Sequence, residues 1–319
     1  MTDTGDSEQA LRDFITAELA QPVSQPALAL SEAIRKRHGK AALAVLFYGS
    51  CLRQPETQLV DSLLDFYVLV DDYKDAYDKA WLAWANQLLP PNVFYLEVDY
   101  GVSRLRAKYA VISLTQFSRG TGAAAVNVSL WARFCQPIRL TWSRDGATVA
   151  AVAAACSEAV LTMLSAISPL PEGAHMATPS PSAKNTAAIA LWVAGFQATY
   201  RAELRPEGPD RAAHIVAADT DRYLAVTPLA LAALEQRRQQ RGQRRPHYAW
   251  NRHRLTGKLL NMARLAKAAF TFDGGLDYIL WKVARHSGVS IAVTDWQRRH
   301  PLLAAPGLAW RLYRRGAFR

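Results

Sequence analysis

The sequence predicts an α+β protein: a mixed sheet with flanking helices, then a mainly helical part, closed by a basic amphipathic segment. Three observations carry that expectation. Short apolar runs bounded by turn residues, at 41–47, 63–70, 93–100 and 108–114, are interleaved with helical periodicity in the first half. From residue 147 the helical period dominates, interrupted by a Pro/Ser-rich stretch at 165–182. Charge is also divided. Residues 1–233 hold 20 basic and 23 acidic side chains, whereas residues 234–319 hold 18 basic and four acidic.

A chain of 319 residues corresponds to about two domains. Half its residues are hydrophobic and a fifth charged, which excludes a disordered, collagenous or coiled-coil chain. The expected division is N-terminal helices at 1–40, an α/β unit at 41–182, a helical domain at 183–290 and a basic tail at 291–319.

Taken in order, Leu11, Phe14, Ile15 and Leu19 fall at helical spacing, and Pro22 and Pro26 close that helix. A second helix follows at about 27–36. The run 41–47 reads as a strand stopping at Tyr48-Gly49-Ser50, and 63–70 as a second strand. Tyr77, Trp81, Trp84 and Leu88 place a helix over 75–89, closed by Pro90-Pro91. Strands follow at 93–100, 108–114 and 138–142. Helices are expected at 147–167, 186–200, 227–240 and 255–270. The Ala-rich stretch 147–170 is broken by Ser157 and Glu158, so it reads as a core helix rather than a membrane span.

Several chemistries are excluded by pattern. Cys51, Cys135 and Cys156 lack C-x-x-C spacing, which argues against a disulfide framework or cysteine zinc site and fits a reducing compartment. The seven histidines show no metal spacing, and neither G-x-x-x-x-G-K-[ST] nor G-x-G-x-x-G occurs. Asp3, Asp6, Glu8, Asp13 and Glu18 give the first thirty residues the wrong sign for a leader peptide.

The informative stretch is Phe47-Tyr48-Gly49-Ser50 followed by Leu63-Leu64-Asp65-Phe66-Tyr67-Val68-Leu69-Val70. Gly49 lets backbone approach a polyphosphate, and its amides with the Ser50 hydroxyl can hold phosphate oxygens. Arg53, three residues on, is within reach of a phosphate. An aspartate amid strand residues is costly unless paired or holding a cation, and Mg²⁺ bridging carboxylate and phosphate oxygens resolves that cost. Lys108, beside Arg104 and Arg106, is the expected cation against transition-state charge. A plain turn and an edge-strand acid are the alternative reading of Gly49-Ser50 and Asp65.

A second metal ligand is less obvious, because Tyr67 stands two residues after Asp65. Asp71 is six residues along the strand, ~20 Å away at ~3.3 Å per residue. Glu97 and Asp99 alternate on one strand and so share a face. If strands 63–70 and 93–100 are neighbours, Asp65 with Glu97 or Asp99 closes an Mg²⁺ site. Asp61 is a further option, and solvent-facing acids are the alternative for Glu97 and Asp99.

The strand, Gly-Ser turn and strand carboxylate together have the layout of the nucleotidyltransferase superfamily related to DNA polymerase β. Tyr48-Gly49-Ser50, Leu64-Asp65-Phe66 and Val70-Asp71-Asp72 resemble the mitochondrial-type phosphatidate cytidylyltransferases, the translocator assembly and maintenance proteins. Val93-Phe94-Tyr95 leading to Lys108-Tyr109-Ala110-Val111-Ile112-Ser113 is similar to the same family. So is Ala194-Gly195 followed by Tyr200-Arg201-Ala202-Glu203-Leu204-Arg205. The resemblance implies a polymerase-β-like nucleotidyltransferase domain, a winged-helix-like second domain, Mg²⁺, CTP and phosphatidate as substrates, and CDP-diacylglycerol as product. It also implies that Tyr200, Glu203 and Arg205 bind substrate, and that the protein sits peripherally on the cytoplasmic face of the cell membrane. Cys51, Ala110 and Glu203 depart from the family's residues, which bears on the acceptor more than on the reaction.

The tail reads Leu308-Ala309-Trp310-Arg311-Leu312-Tyr313-Arg314-Arg315. On a helix Leu308 and Leu312 gather on one side and Arg311, Arg314 and Arg315 on the other. Trp310, Tyr313 and Phe318 suit the headgroup level of an anionic membrane. Each basic residue near such a surface adds about 1 kcal/mol. Nucleic acid is the rival partner, since arginines interleaved with aromatics also suit phosphate and base; packing on the protein's own core is the third reading.

Overall fold

Why residues 42–48 form a strand is visible in their burial. Ala42 through Phe47 are all enclosed, so an unbroken apolar run, not an alternating one, suits a strand covered on both faces. In the computed structural model, which describes residues 6–125, 127–167, 181–202, 210–241, 256–257, 260, 263–264, 267–268 and 275–315, this strand is β1 (Ala42–Tyr48). The others are β2 (Leu63–Val70), β3 (Asn92–Tyr100), β4 (Ser103–Ser113) and β5 (Ile138–Ser143). The chain is α+β, as expected.

Contacts group the chain into two discontinuous units: residues 1–23 with 113–263, and residues 24–112 with 264–319. This grouping differs from the linear division into 41–182, 183–290 and 291–319.

The second of these units holds strands in the order β3-β4-β2-β1. β1 pairs antiparallel with β2, setting Tyr48 opposite Asp65 and Phe47 opposite Phe66. β3 and β4 form an antiparallel hairpin, with Tyr95 opposite Lys108, Glu97 opposite Arg106 and Asp99 opposite Arg104. Helix Gln25–His38 buries Ala27, Leu30 and Ile34 against this sheet. Its last residue, His38, is buried edge-on to Tyr109 at 5.7 Å between ring centroids.

Two elements differ from expectation. The single helix expected over 75–89 is two, Tyr73–Ala76 and Ala80–Leu88, because Tyr77 between them is extended. Its hydroxyl accepts from the buried Asn86 amide at 2.8 Å, and Asn86 also donates to the Val111 carbonyl at 2.9 Å. The strand expected at 108–114 begins at Ser103, so Arg104 and Arg106 belong to it. Arg264 Nε and Lys267 Nζ donate to the Pro90 and Pro91 carbonyls at 2.9 and 2.8 Å.

The C-terminal helix of this unit is Pro301–Arg314. Ala304, Leu308 and Leu312 pack against Ile291 and the partly buried Leu276, Leu280 and Val283. Its leucine side is therefore taken up by the protein's own core, whereas Leu303, Trp310 and Tyr313 are exposed.

Among its described residues, the other unit has β5 as its strand and is otherwise helices, turns and loops. Helices Asp6–Leu19, Gly146–Ile167, Pro181–Ala202 and Thr220–Arg241 enclose Leu11, Ile15, Val160, Trp192 and Tyr223. Gly146–Ile167 is long and apolar enough to cross a membrane, and 67% of its most apolar stretch is buried inside the protein, as a core helix would be. The Trp192 indole donates to Thr227 Oγ1 at 2.9 Å. Arg222 Nε meets Glu18 Oε1 at 2.7 Å, and its Nη1 donates to the Cys135 carbonyl at 2.8 Å. The described residues of 183–263 in this unit form helices and turns only.

Candidate active site

Antiparallel pairing lines up four side chains across the sheet. Tyr95 on β3 faces Lys108 on β4, and Asp65 on β2 faces Tyr48 on β1. The row is closed between β4 and β2 by an ion pair, with Lys108 Nζ 3.0 Å from Asp65 Oδ1. Both side chains keep about a third of their surface, 36% for Lys108 and 30% for Asp65. Asp65 Oδ1 is itself enclosed and has no hydrogen bond with acceptable angles. The Lys108 contact is thus ionic rather than a directed hydrogen bond.

Gly49 ends β1 with φ +94°, a conformation that disfavours any residue with a Cβ. A Cβ there would stand 3.6 Å from Asp65 Oδ2, so the turn lies directly against the carboxylate. Ser50 opens the short 3-10 turn Ser50–Arg53, whose buried Cys51 donates through Sγ to the Leu63 carbonyl at 3.4 Å. Ser50 and Arg53 are exposed on this turn, and Tyr48 is half-buried with its ring 5.4 Å from that of Tyr67.

Towards the hairpin end the same face carries two more cross-strand pairs. Glu97 accepts from the Tyr95 hydroxyl at 2.7 Å, from Arg104 Nη1 at 3.1 Å, and lies 3.3 Å from Arg106 Nε. Asp99 accepts from Arg104 Nε at 3.0 Å. Glu97 and Asp99 are therefore engaged with arginines.

The condition for pairing Asp65 with Glu97 or Asp99, that their strands are neighbours, is not met. β4 lies between β2 and β3, so Asp65 is separated from Glu97 and Asp99 by two strand spacings, ~10 Å. No cluster of three His, Cys, Asp or Glu able to hold a metal exists among the described residues. Tyr67, two residues past Asp65 on the same face, is buried and supplies no second carboxylate. One Asp65 oxygen is left for a cation: Oδ1 is enclosed against Lys108 Nζ, whereas Oδ2 lies beside the Gly49 turn, and one carboxylate oxygen with phosphate oxygens and water is an ordinary Mg²⁺ set.

No family model and no curated protein matches the chain. The site therefore rests on its own geometry.

Of the remaining expected residues, Tyr200 is half-buried near the end of helix Pro181–Ala202. Glu203 and Arg205 lie outside the described residues, as do the 168–180 part of the linker and Phe318. In the tail, Arg311 and Arg315 donate to the carbonyls of Ala292 and Ser290 at 3.2 and 2.9 Å, and Arg314 is exposed. Trp310 and Tyr313 stack at 6.0 Å between centroids, on the open side of the helix.

Sequence reasoning missed the continuity of Arg104, Arg106 and Lys108 on one strand face. The signal was present: charged residues alternate with Leu105 and Ala107, which are fully buried.

Proposed function

We propose that the chain is a nucleotidyltransferase that moves a cytidylyl group from CTP to phosphatidate at a membrane surface, giving CDP-diacylglycerol and pyrophosphate. In this reading the Asp65 strands form a polymerase-β-like domain and the later helices a winged-helix-like one. One observation carries it: a carboxylate and a lysine on adjacent strands meet at 3.0 Å beside a positive-φ glycine turn.

The Gly49 backbone admits the triphosphate, and Lys108 offsets the negative charge that grows on its oxygens during transfer. A phosphatidate oxygen, already ionised, attacks the α-phosphorus; the bond to the bridging oxygen breaks, and pyrophosphate leaves with that electron pair. No side chain is needed to remove a proton from such a nucleophile. Positioning and charge neutralisation carry the rate, as in phosphoryl transfer generally. Mg²⁺, when bound, would supply further charge neutralisation, and Asp65 is the residue that would hold it.

The tail supports the membrane part of the reading. Trp310, Tyr313, Leu303 and Arg314 are exposed; in this reading they meet an anionic bilayer from its cytoplasmic side. Tyr67 in place of a second carboxylate favours a second reading, in which the chain is a non-catalytic membrane scaffold. Incubating the protein with each labelled nucleoside triphosphate, Mg²⁺ and phosphatidate micelles decides between them. CDP-lipid and pyrophosphate from CTP alone are expected; no pyrophosphate with any nucleotide leaves the scaffold. Transfer to RNA or a sugar phosphate instead changes the acceptor but not the reaction class.

A further inference from the structure

Arg106 is held differently from its neighbours on β4. Arg104 is 55% exposed and tied to Glu97 and Asp99, and Lys108 is paired with Asp65. The Arg106 side chain is only 21% exposed, and its guanidinium lies 5.6 Å from the centre of the Trp281 ring. Glu97 flanks its Nε at 3.3 Å, and its Nη1 donates to the Arg104 carbonyl at 3.3 Å. Its Nε is enclosed without a well-angled hydrogen bond, and its Nη2 has no partner among the described residues.

A guanidinium fixed on one face by an indole and on one edge by a carboxylate cannot swing freely. The donors it leaves over point in a set direction, which is the arrangement that recognises a phosphate by its plane of oxygens. Arg106 also sits two residues from Lys108 on the same strand face, ~7 Å along the strand. That step suits two phosphates side by side, one at Lys108 and one at Arg106.

We propose that Arg106 is the binding residue for the acceptor's terminal phosphate monoester, with Glu97 and Trp281 positioning it. This rests on the nucleotidyltransferase reading above, with CTP at Gly49 and Lys108. Tyr95 acts on Arg106 only through Glu97, whereas Arg104 acts both through Glu97 and through its own carbonyl.

The full-length protein is assayed with CTP and a soluble short-chain phosphatidate, alongside Arg106→Ala and Arg106→Lys, each checked for folding by circular dichroism. Both variants are expected to raise the KM for phosphatidate by about tenfold or more while the KM for CTP stays within about twofold. Arg106→Lys keeps the charge but not the fork, so its defect separates directed recognition from bulk electrostatics. Unchanged KM for phosphatidate, or equal rises for both substrates, overturns the assignment. If the wild-type chain transfers nothing, the nucleotidyltransferase reading fails by itself, and calorimetric titration with the same lipid then decides the subsite. Arg106-dependent binding of the phosphate monoester over its methyl phosphodiester sustains the subsite; binding indifferent to Arg106 overturns it.

Discussion

Lys108 Nζ stands 3.0 Å from Asp65 Oδ1, joining two neighbouring strands at the point where the Gly49 turn meets the sheet. Both side chains keep about a third of their surface, so loss of the pair costs little stability. Lys108→Met is therefore expected to lower stability by less than about 1 kcal/mol. Under the proposed function, turnover is expected to fall by about 10²-fold or more, because Lys108 is the cation assigned to the developing charge. Steady-state rates and thermal midpoints of the same preparation check both halves.

Gly49 and Gly101 both have positive φ, +94° and +59°. Alanine at either position costs about 1 kcal/mol or more in backbone strain. Only Gly49 lies against Asp65. Gly49→Ala is expected to raise the KM for CTP, whereas Gly101→Ala, at the β3–β4 hairpin tip, is expected to lose stability alone. Equal kinetic effects from the two would show that strain, not approach to the nucleotide, is being measured.

His38 makes the fold acid-sensitive. Burial disfavours its charged form and holds its pKa at about 4, against 6.5 when exposed, with Arg37 pushing the same way. The unfolded chain thus binds the extra proton first. The contribution is complete above about pH 6.5 and is lost as pH falls towards 4, worth about 3 kcal/mol across that window. Chemical denaturation from pH 7 to 4 is expected to show this slope, and His38→Gln is expected to flatten it.

The two sides of helix Pro301–Arg314 should separate in experiment. Leu312→Ala, in the buried cluster with Ile291 and Leu308, is expected to destabilise the fold by about 2 kcal/mol. Trp310→Ala with Tyr313→Ala is expected to leave the thermal midpoint within a degree or two and to weaken flotation with anionic vesicles. Undiminished flotation in the double variant removes the membrane role of this side.

Much of this was legible in the sequence. The runs around Tyr48 and Asp65 marked β1 and β2, because buried strands need unbroken apolar residues and a glycine must end the first. What could not be read was pairing order. Glu97 or Asp99 reaches Asp65 only if their strands are neighbours, and β4 intervenes. Strand adjacency depends on long-range packing, and the alternation within each strand is silent about it. The Tyr77 break was hidden for a similar reason: it depends on Asn86, 9 residues from Tyr77, which is itself held by the Val111 carbonyl, 25 residues from Asn86. The tail was ambiguous because Leu308 and Leu312 suit a bilayer and a core equally well.

The proposed role of Asp65, set against the Gly49 turn, is in cytidylyl transfer from CTP. Its most direct test is single-turnover formation of CDP-lipid from labelled CTP and phosphatidate, comparing the wild-type chain with Asp65→Asn, a change that keeps shape and removes charge. A fall of about 10²-fold or more with an unaltered circular dichroism spectrum is the predicted result; a rate in Asp65→Asn equal to wild type contradicts it.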